Sequence, residues 1–312
     1  MSDPVADIVA DVVATTRRGT AVYGLNRFHA PWGVRVPPGR LASFHVVTAG
    51  ACWLVPDGGE PIRLTRGDAV LVLADVGHVL ADTPGRPTRS MEELIGGPLG
   101  ETVPAEVRID GPGPLTGLVC GGYLLDGGPR HPLTALLPPV VRVGAAQAQG
   151  SGLAAAVDLL TAEVDRSDPG SRAVVGTLLD LLIVYLLRAW LAAPGAPGDG
   201  WLRALRDPAV GQALALVHAE PARPWTVAAL ARAVGTPRAT FARRFTALTG
   251  RAPMAYVTEW RMTVAARLLR EGREPLREIA GRVGYDSEFA FARAFKRAVG
   301  ESPGRYRQRT GR

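Results

Sequence analysis

The sequence predicts a multidomain α+β chain. It has an N-terminal β-barrel, a helical segment behind it, and an all-α C-terminal domain with two helix-turn-helix units. Three observations carry this reading. One stretch near the C-terminus occurs twice, short apolar runs split by Gly and Pro fill residues 20–142, and the charge changes sign at a Pro- and Gly-rich linker.

The repeat is the strongest of the three. Its first copy runs from Leu230 through Gly235, Phe241, Arg243 and Phe245 to Gly250 and Pro253. The second runs from Ile279 through Gly284, Phe291, Arg293 and Phe295 to Gly300 and Pro303. The turn glycines are 49 positions apart and the later marks 50, so the second turn holds one extra residue. A fixed internal period fixes architecture before any residue-level argument. The charge agrees with a polyanionic partner for this part alone. Residues 201–312 hold 21 Arg or Lys against 9 Asp or Glu, and the first 200 hold 15 against 20, for +7 overall.

In chain order, Asp3-Pro4 reads as a cap with proline at the first helical position, and Val5, Ile8, Val9, Val12 and Val13 follow at helical spacing. A short amphipathic helix is therefore expected over residues 4–16. The runs Ser43–Val47, Ala51–Val55, Ala69–Leu73 and Leu115–Cys120 read as strands of a sandwich or barrel, and turn-rich Thr83–Thr102 as a loop. Helices are expected over Gly152–Arg166 and Arg172–Ala192. The second is apolar nearly all round and must bury most of its faces, by internal packing or in a homodimer interface. The greasiest run, Leu181–Leu187, is bounded by Asp180 and Arg188. This predicts no membrane span, and with no secretory signal it predicts a cytoplasmic protein. Residues 193–200, Ala-Pro-Gly-Ala-Pro-Gly-Asp-Gly, form a linker. The expected domains are 1–142 (barrel), 143–192 (linker and dimerisation helices), 193–200 (flexible linker) and 201–312 (DNA-binding).

Within 201–312, Asp207-Pro208 starts a helix to about His218, and Thr226 caps another through Val234. Thr236 is expected to cap a recognition helix running to Leu248, and Pro253 to start a connecting helix of roughly 17 residues, about 26 Å at 1.5 Å per residue. A recognition helix fits the major groove, with residues near its N-terminus facing base edges. The candidate DNA-contacting residues are Arg238, Ala239, Thr240, Ala242, Arg243 and Arg244 in the first unit. In the second they are Ser287, Glu288, Phe289, Arg293, Lys296 and Arg297. Arg243 and Arg293, at equivalent repeat positions, are the candidates for guanine. Arg238, Arg244, Lys296 and Arg297 are read as phosphate or second-rank contacts.

The stretch 208–309 resembles the DNA-binding domain of AraC/XylS-type transcriptional regulators. The resemblance rests on Gly235, Phe245, Gly250, Pro253, Tyr256, Arg261, Ile279-Ala280, Val283-Gly284-Tyr285, Ala294-Phe295-Lys296 and Ser302-Pro303. It implies two units on successive major-groove segments of one promoter; the apolar helix over Arg172–Ala192 adds the expectation of a homodimer, and RNA polymerase is the expected partner where the regulator activates. Residues 1–142 resemble the cupin-type sensory domain on one branch of that family, through Phe44-His45, Cys52-Trp53-Leu54, Gly67-Asp68, Gly77-His78, Cys120-Gly121, His131-Pro132-Leu133 and Leu137-Pro138-Pro139.

His45, Trp53, His78 and Cys120 are the candidate ligand or sensor residues. His45, His78 and Cys120 on separate strands could ligate a borderline-soft ion such as zinc, although the closely spaced cupin histidine pair is missing around His45. The alternatives are structural or pocket-lining histidines, or a redox-responsive thiol at Cys120. The chain therefore reads as a DNA-binding regulator sensing a small ligand, a metal or a redox signal. The competing class is a cupin-type metal-dependent enzyme with a basic tail. No phosphate-cradling Gly loop, nucleophile elbow or zinc-protease helix appears in the sequence.

Overall fold

The computed structural model describes residues 22–39, 41–98, 106–124, 137–149, 151–166, 169–192 and 201–310. The helix expected over 4–16, the linker 193–200 and the His131-Pro132-Leu133 mark lie outside them. The described residues fall into two compact units, one of 22–124 with 138–192 and the other of 201–310.

The first unit holds β1 (Val22–His29), β2 (Gly33–Val36), β3 (Leu41–Ala49), β4 (Ala51–Pro56), β5 (Ile62–Thr65) and β6 (Ala69–Val72). It continues with β7 (His78–Ala81), β8 (Arg89–Ser90), β9 (Glu106–Ile109), β10 (Leu115–Leu124) and β11 (Val140–Val143). They form a six-stranded sheet in the order β11-β6-β3-β10-β1-β9 and a five-stranded sheet in the order β5-β4-β7-β2-β8. Neither sheet closes on itself, so the expected barrel is instead a pair of open sheets. Strand alternation builds the core between them. In β4, Cys52 and Leu54 point inward while Trp53 and Val55 are only half-buried. Phe28, Trp32, Val34, Val47, Leu64, Val70, Leu80 and Leu118 complete the same cluster. Each such side chain fully buried contributes about 1.5–3 kcal/mol.

The segment expected to be a loop carries structure. Arg89–Ser90 pairs with β2, and α1 (Met91–Ile95) follows. A capping box starts that helix: the Ser90 hydroxyl accepts from the Glu92 amide, and the Glu93 carboxylate accepts from the Ser90 amide.

Helices α2 (Ala145–Gln149), α3 (Leu153–Arg166) and α4 (Ser171–Ala192) belong to the same compact unit as the sheets. α4 packs on α3 and β11, and buries Leu179, Leu182, Leu186, Leu187 and Trp190. By length and composition alone, its stretch Ala173–Ala192 is long and apolar enough to cross a membrane. Half of that stretch is buried within the unit, as in the core helix of a folded domain.

The second unit is all helix: α5 (Trp201–Arg206), α6 (Pro208–Ala219), α7 (Val227–Ala233), α8 (Arg238–Thr249), α9 (Pro253–Glu271), α10 (Leu276–Arg282), α11 (Glu288–Val299) and α12 (Pro303–Thr310). The repeat is visible in its packing. Phe241 and Phe245 stand 5.6 Å apart between ring centroids, and Phe245 meets Tyr256 edge-on at 5.6 Å. Fifty residues on, Phe291 and Phe295 are 5.8 Å apart and Phe295 meets Tyr306 edge-on at 5.4 Å. Edge-to-face pairs at such distances add about 0.5–1.5 kcal/mol beyond their buried area. The connecting helix α9 runs 19 residues, and buries Tyr256, Trp260, Met262, Ala266 and Leu269. His218 at the end of α6 stacks on Trp260 at 4.1 Å, and its Nε2 lies 2.8 Å from the Tyr256 hydroxyl.

Candidate nucleic-acid interface and sensory core

In the first helix-turn-helix, the Thr226 hydroxyl caps α7 by accepting from the Ala229 amide at 3.0 Å. Leu230, Phe241 and Phe245 are buried, which joins α7 to α8. The turn passes through Gly235 at φ +63°. The expected cap by Thr236 does not form. Its hydroxyl instead donates to the Val234 carbonyl at 3.3 Å, and the N-cap position falls to Pro237, which offers no side-chain acceptor. Arg238, Ala239, Thr240 and Arg243 stand exposed on α8, and Ala242 is half-buried.

Arg244 is also exposed, but its Nε donates to Asp207 Oδ2 at 2.5 Å. Asp207 uses its other oxygen to accept the Ala209 and Val210 amides at the start of α6. One carboxylate therefore caps α6 and ties it to α8, and Arg244 acts first as part of that brace.

The second unit repeats the arrangement with different edges. Gly284 turns the chain at φ +79°, and the Ser287 hydroxyl accepts from the Ala290 amide to cap α11. Ser287, Glu288, Phe289, Arg293, Lys296 and Arg297 are all exposed. Phe289 is the outlier, a phenyl ring 83% exposed on the first turn of a recognition helix. Among the described residues, Arg243 and Arg293 make no ion pair, which leaves both guanidinium groups available to a ligand.

The sensory candidates separate into two sets. His45 on β3 and His78 on β7 face each other across the sheets, 2% and 1% exposed, with their Nε2 atoms 2.8 Å apart. Burial pushes the His45 pKa well below its usual value, helped by the neighbouring His78, and pushes that of His78 down to about 4. Both rings are therefore neutral near pH 7. Cys120 lies opposite His45 in the β10–β3 ladder. Trp53, by contrast, sits on the other face of its strand, away from this core. Burial pushes the Cys120 and Cys52 thiols up to about 12, so neither is a thiolate, the form that reacts with oxidants.

Two imidazoles bound to one zinc at about 2.0–2.1 Å in tetrahedral geometry would hold their nitrogens about 3.3 Å apart. The pair found here is closer and reads as a hydrogen bond. Among the described residues, no group of three His, Cys, Asp or Glu is gathered that could hold a metal ion. As placed, His45, His78 and Cys120 do not fit the expected zinc set.

The sequence reading missed two features here. Asn26 is 2% exposed, and its side chain favours the ionised Cys120 thiol against the larger effect of burial. Only the β1–β10 pairing brings it there, so no local signal marked it. A cavity of about 570 Å³ lies between the outer face of β3 and β6 and helices α2 and α3. Val46, Ala69, Ala148, Leu153 and Val157 line it, with Arg66 and Asp158 as charged groups.

Comparison with known proteins places both halves. The cupin family profile matches residues 7–192, and a helix-turn-helix domain profile matches residues 230–309. An AraC-like transcription regulator of Streptomyces lividans is 33% identical over 307 residues, covering 98% of each chain. One from Streptomyces antibioticus is 33% identical over 308 residues, again covering 98% of each. Among solved structures, the DNA-binding domain of AdpA in complex with a target DNA is 35% identical. That match covers 33% of this chain and 92% of the other, with a TM-score of 0.32.

Proposed function

The chain belongs to the AraC-like family of DNA-binding transcription regulators and is not an enzyme, and we propose that it reads a bipartite promoter site with α8 and α11 in successive major grooves. The observation that carries this is the doubled Phe–Phe–Tyr interior, which presents two recognition helices with an unpaired Arg at the same position of each. Arg243 and Arg293 supply base contacts, and Arg238, Lys296 and Arg297 hold phosphates. Arg243→Ala or Arg293→Ala should cost about 1–3 kcal/mol on the cognate site and relax the base preference beneath it. Equal losses on cognate and random duplexes would assign both to the backbone. Binding should also weaken steeply with salt as counterions are released from phosphates.

For the signal we propose a small, largely apolar ligand bound in the sensory half. The 570 Å³ cavity supports this, being within the ~300–1,000 Å³ range of small-molecule sites. A thermal-shift screen with small molecules, divalent metals and oxidants, beside elemental analysis of protein purified without chelator, discriminates the signals. Stoichiometric zinc, or stabilisation by oxidant alone, would replace the ligand reading. We further propose a cytoplasmic homodimer that activates transcription by RNA polymerase. On α4, Val174 and Leu181 are 44% and 42% exposed and seven residues apart, so they share one helix face that a second copy would cover. A monomeric wild type by light scattering would remove that interface.

A further inference from the structure

We propose that Arg261, on the connecting helix α9, is the positioning residue that sets the two recognition helices in one fixed relation. The proposal rests on the reading that both units contact one site. Its guanidinium donates to three backbone carbonyls that come from both units. Nε reaches Pro221 O at 2.8 Å and one Nη reaches Arg223 O at 2.7 Å, both in the loop that enters the first helix-turn-helix. The other Nη reaches Gly284 O at 3.3 Å, in the turn of the second. The planar fork of an arginine can serve three fixed acceptors at once, where a lysine ammonium is a single point charge.

Both ends of this bridge are tied to neighbouring groups. At the first helix-turn-helix, the Trp225 amide also donates to Arg223 O at 2.7 Å, and the Trp225 indole donates to Glu220 O at 2.9 Å. The Arg223 guanidinium lies over that indole at 4.3 Å. At the second helix-turn-helix, Tyr285 lies beneath Arg261 at 5.8 Å and packs on Phe291 of the recognition helix. The two helix-turn-helix segments also approach each other directly at this point. A side chain begun at Gly284 would stand 2.7 Å from Ala222 O and 2.6 Å from the Arg261 guanidinium. Arg261 therefore connects the loop before α7 to the turn before α11, with α9 as the rigid arm.

Linked modules gain affinity from effective concentration only while their geometry lets both engage together. The test selects a bipartite site for the wild-type full chain from random duplexes. Wild type, Arg261→Lys and Arg261→Gln are then measured on that site, on versions with either half scrambled, and on versions with one or two base pairs added or removed between halves. Thermal melts verify that each variant is folded. The expected result is a loss of about tenfold or more on the intact site, half-site affinities unchanged within about twofold, and weaker discrimination against altered spacing. Variants that keep both intact-site affinity and spacing discrimination overturn the proposal, as do equal losses on intact and half sites. A wild-type site with only one half overturns the two-unit reading itself, and the proposal with it.

Discussion

In the first helix-turn-helix, Gly235 has φ +63° and nothing within 4 Å of where a side chain would begin. In the second, Gly284 has φ +79° and is crowded by Ala222 O and the Arg261 guanidinium. The recognition helices differ in the same uneven way. α8 starts at Pro237 without a side-chain cap, while Ser287 caps α11. Arg244 is exposed and braced to Asp207, while position 294, fifty residues on, is a buried alanine. The Phe–Phe–Tyr sets nonetheless match ring for ring. The repeat preserves the packing that holds a recognition helix, and leaves each turn free to adapt to its neighbours.

Substitutions at matched positions of the two copies separate what is shared from what differs. Phe245→Ala and Phe295→Ala should each destabilise the helical unit by about 3–5 kcal/mol in denaturant titrations, with values that agree closely. A twofold disparity would end the equivalence of the interiors. At the turns the sign of the comparison reverses. Gly235→Ala should cost only the left-handed strain of about 1–2 kcal/mol. Gly284→Ala should cost about 2–5 kcal/mol, because overpacking against a fixed carbonyl is added. Equal losses would mean that the second turn yields freely. The smallest effect is expected at the caps. Ser287→Ala should lose about 1 kcal/mol and Pro237→Ser should gain up to about that much, both read as shifts in the thermal midpoint.

Local rules made the helices legible. Asp207-Pro208 and Thr226 are short-range signals, and the structure uses both as a sequence reading expects. Ser90 and Glu93 are also a local signal, but the surrounding Gly and Pro outweigh it and point to turns. What stayed hidden was set by distance along the chain. Arg244 and Asp207 are 37 residues apart, and His45 and His78 are 33 apart. The second pair meets only because two sheets stack, and whether those sheets close is decided by edges that no strand's own pattern specifies. Arg261 was visible as a family mark, yet its partners are carbonyl groups, which every residue owns and no sequence pattern singles out.

The ring-for-ring match also makes the recognition surface portable. Because Phe241, Phe245 and Tyr256 recur as Phe291, Phe295 and Tyr306, the outward residues of α8 have defined seats on α11. Ala239, Thr240, Ala242 and Arg243 would be written at positions 289, 290, 292 and 293, which replaces Phe289 with alanine and keeps Arg293. Arg244 stays behind, since its seat at 294 is interior and holds no Asp207 to receive it. The product would be a chain whose two halves read the same word, a direct repeat assembled from a natural pair of unlike readers.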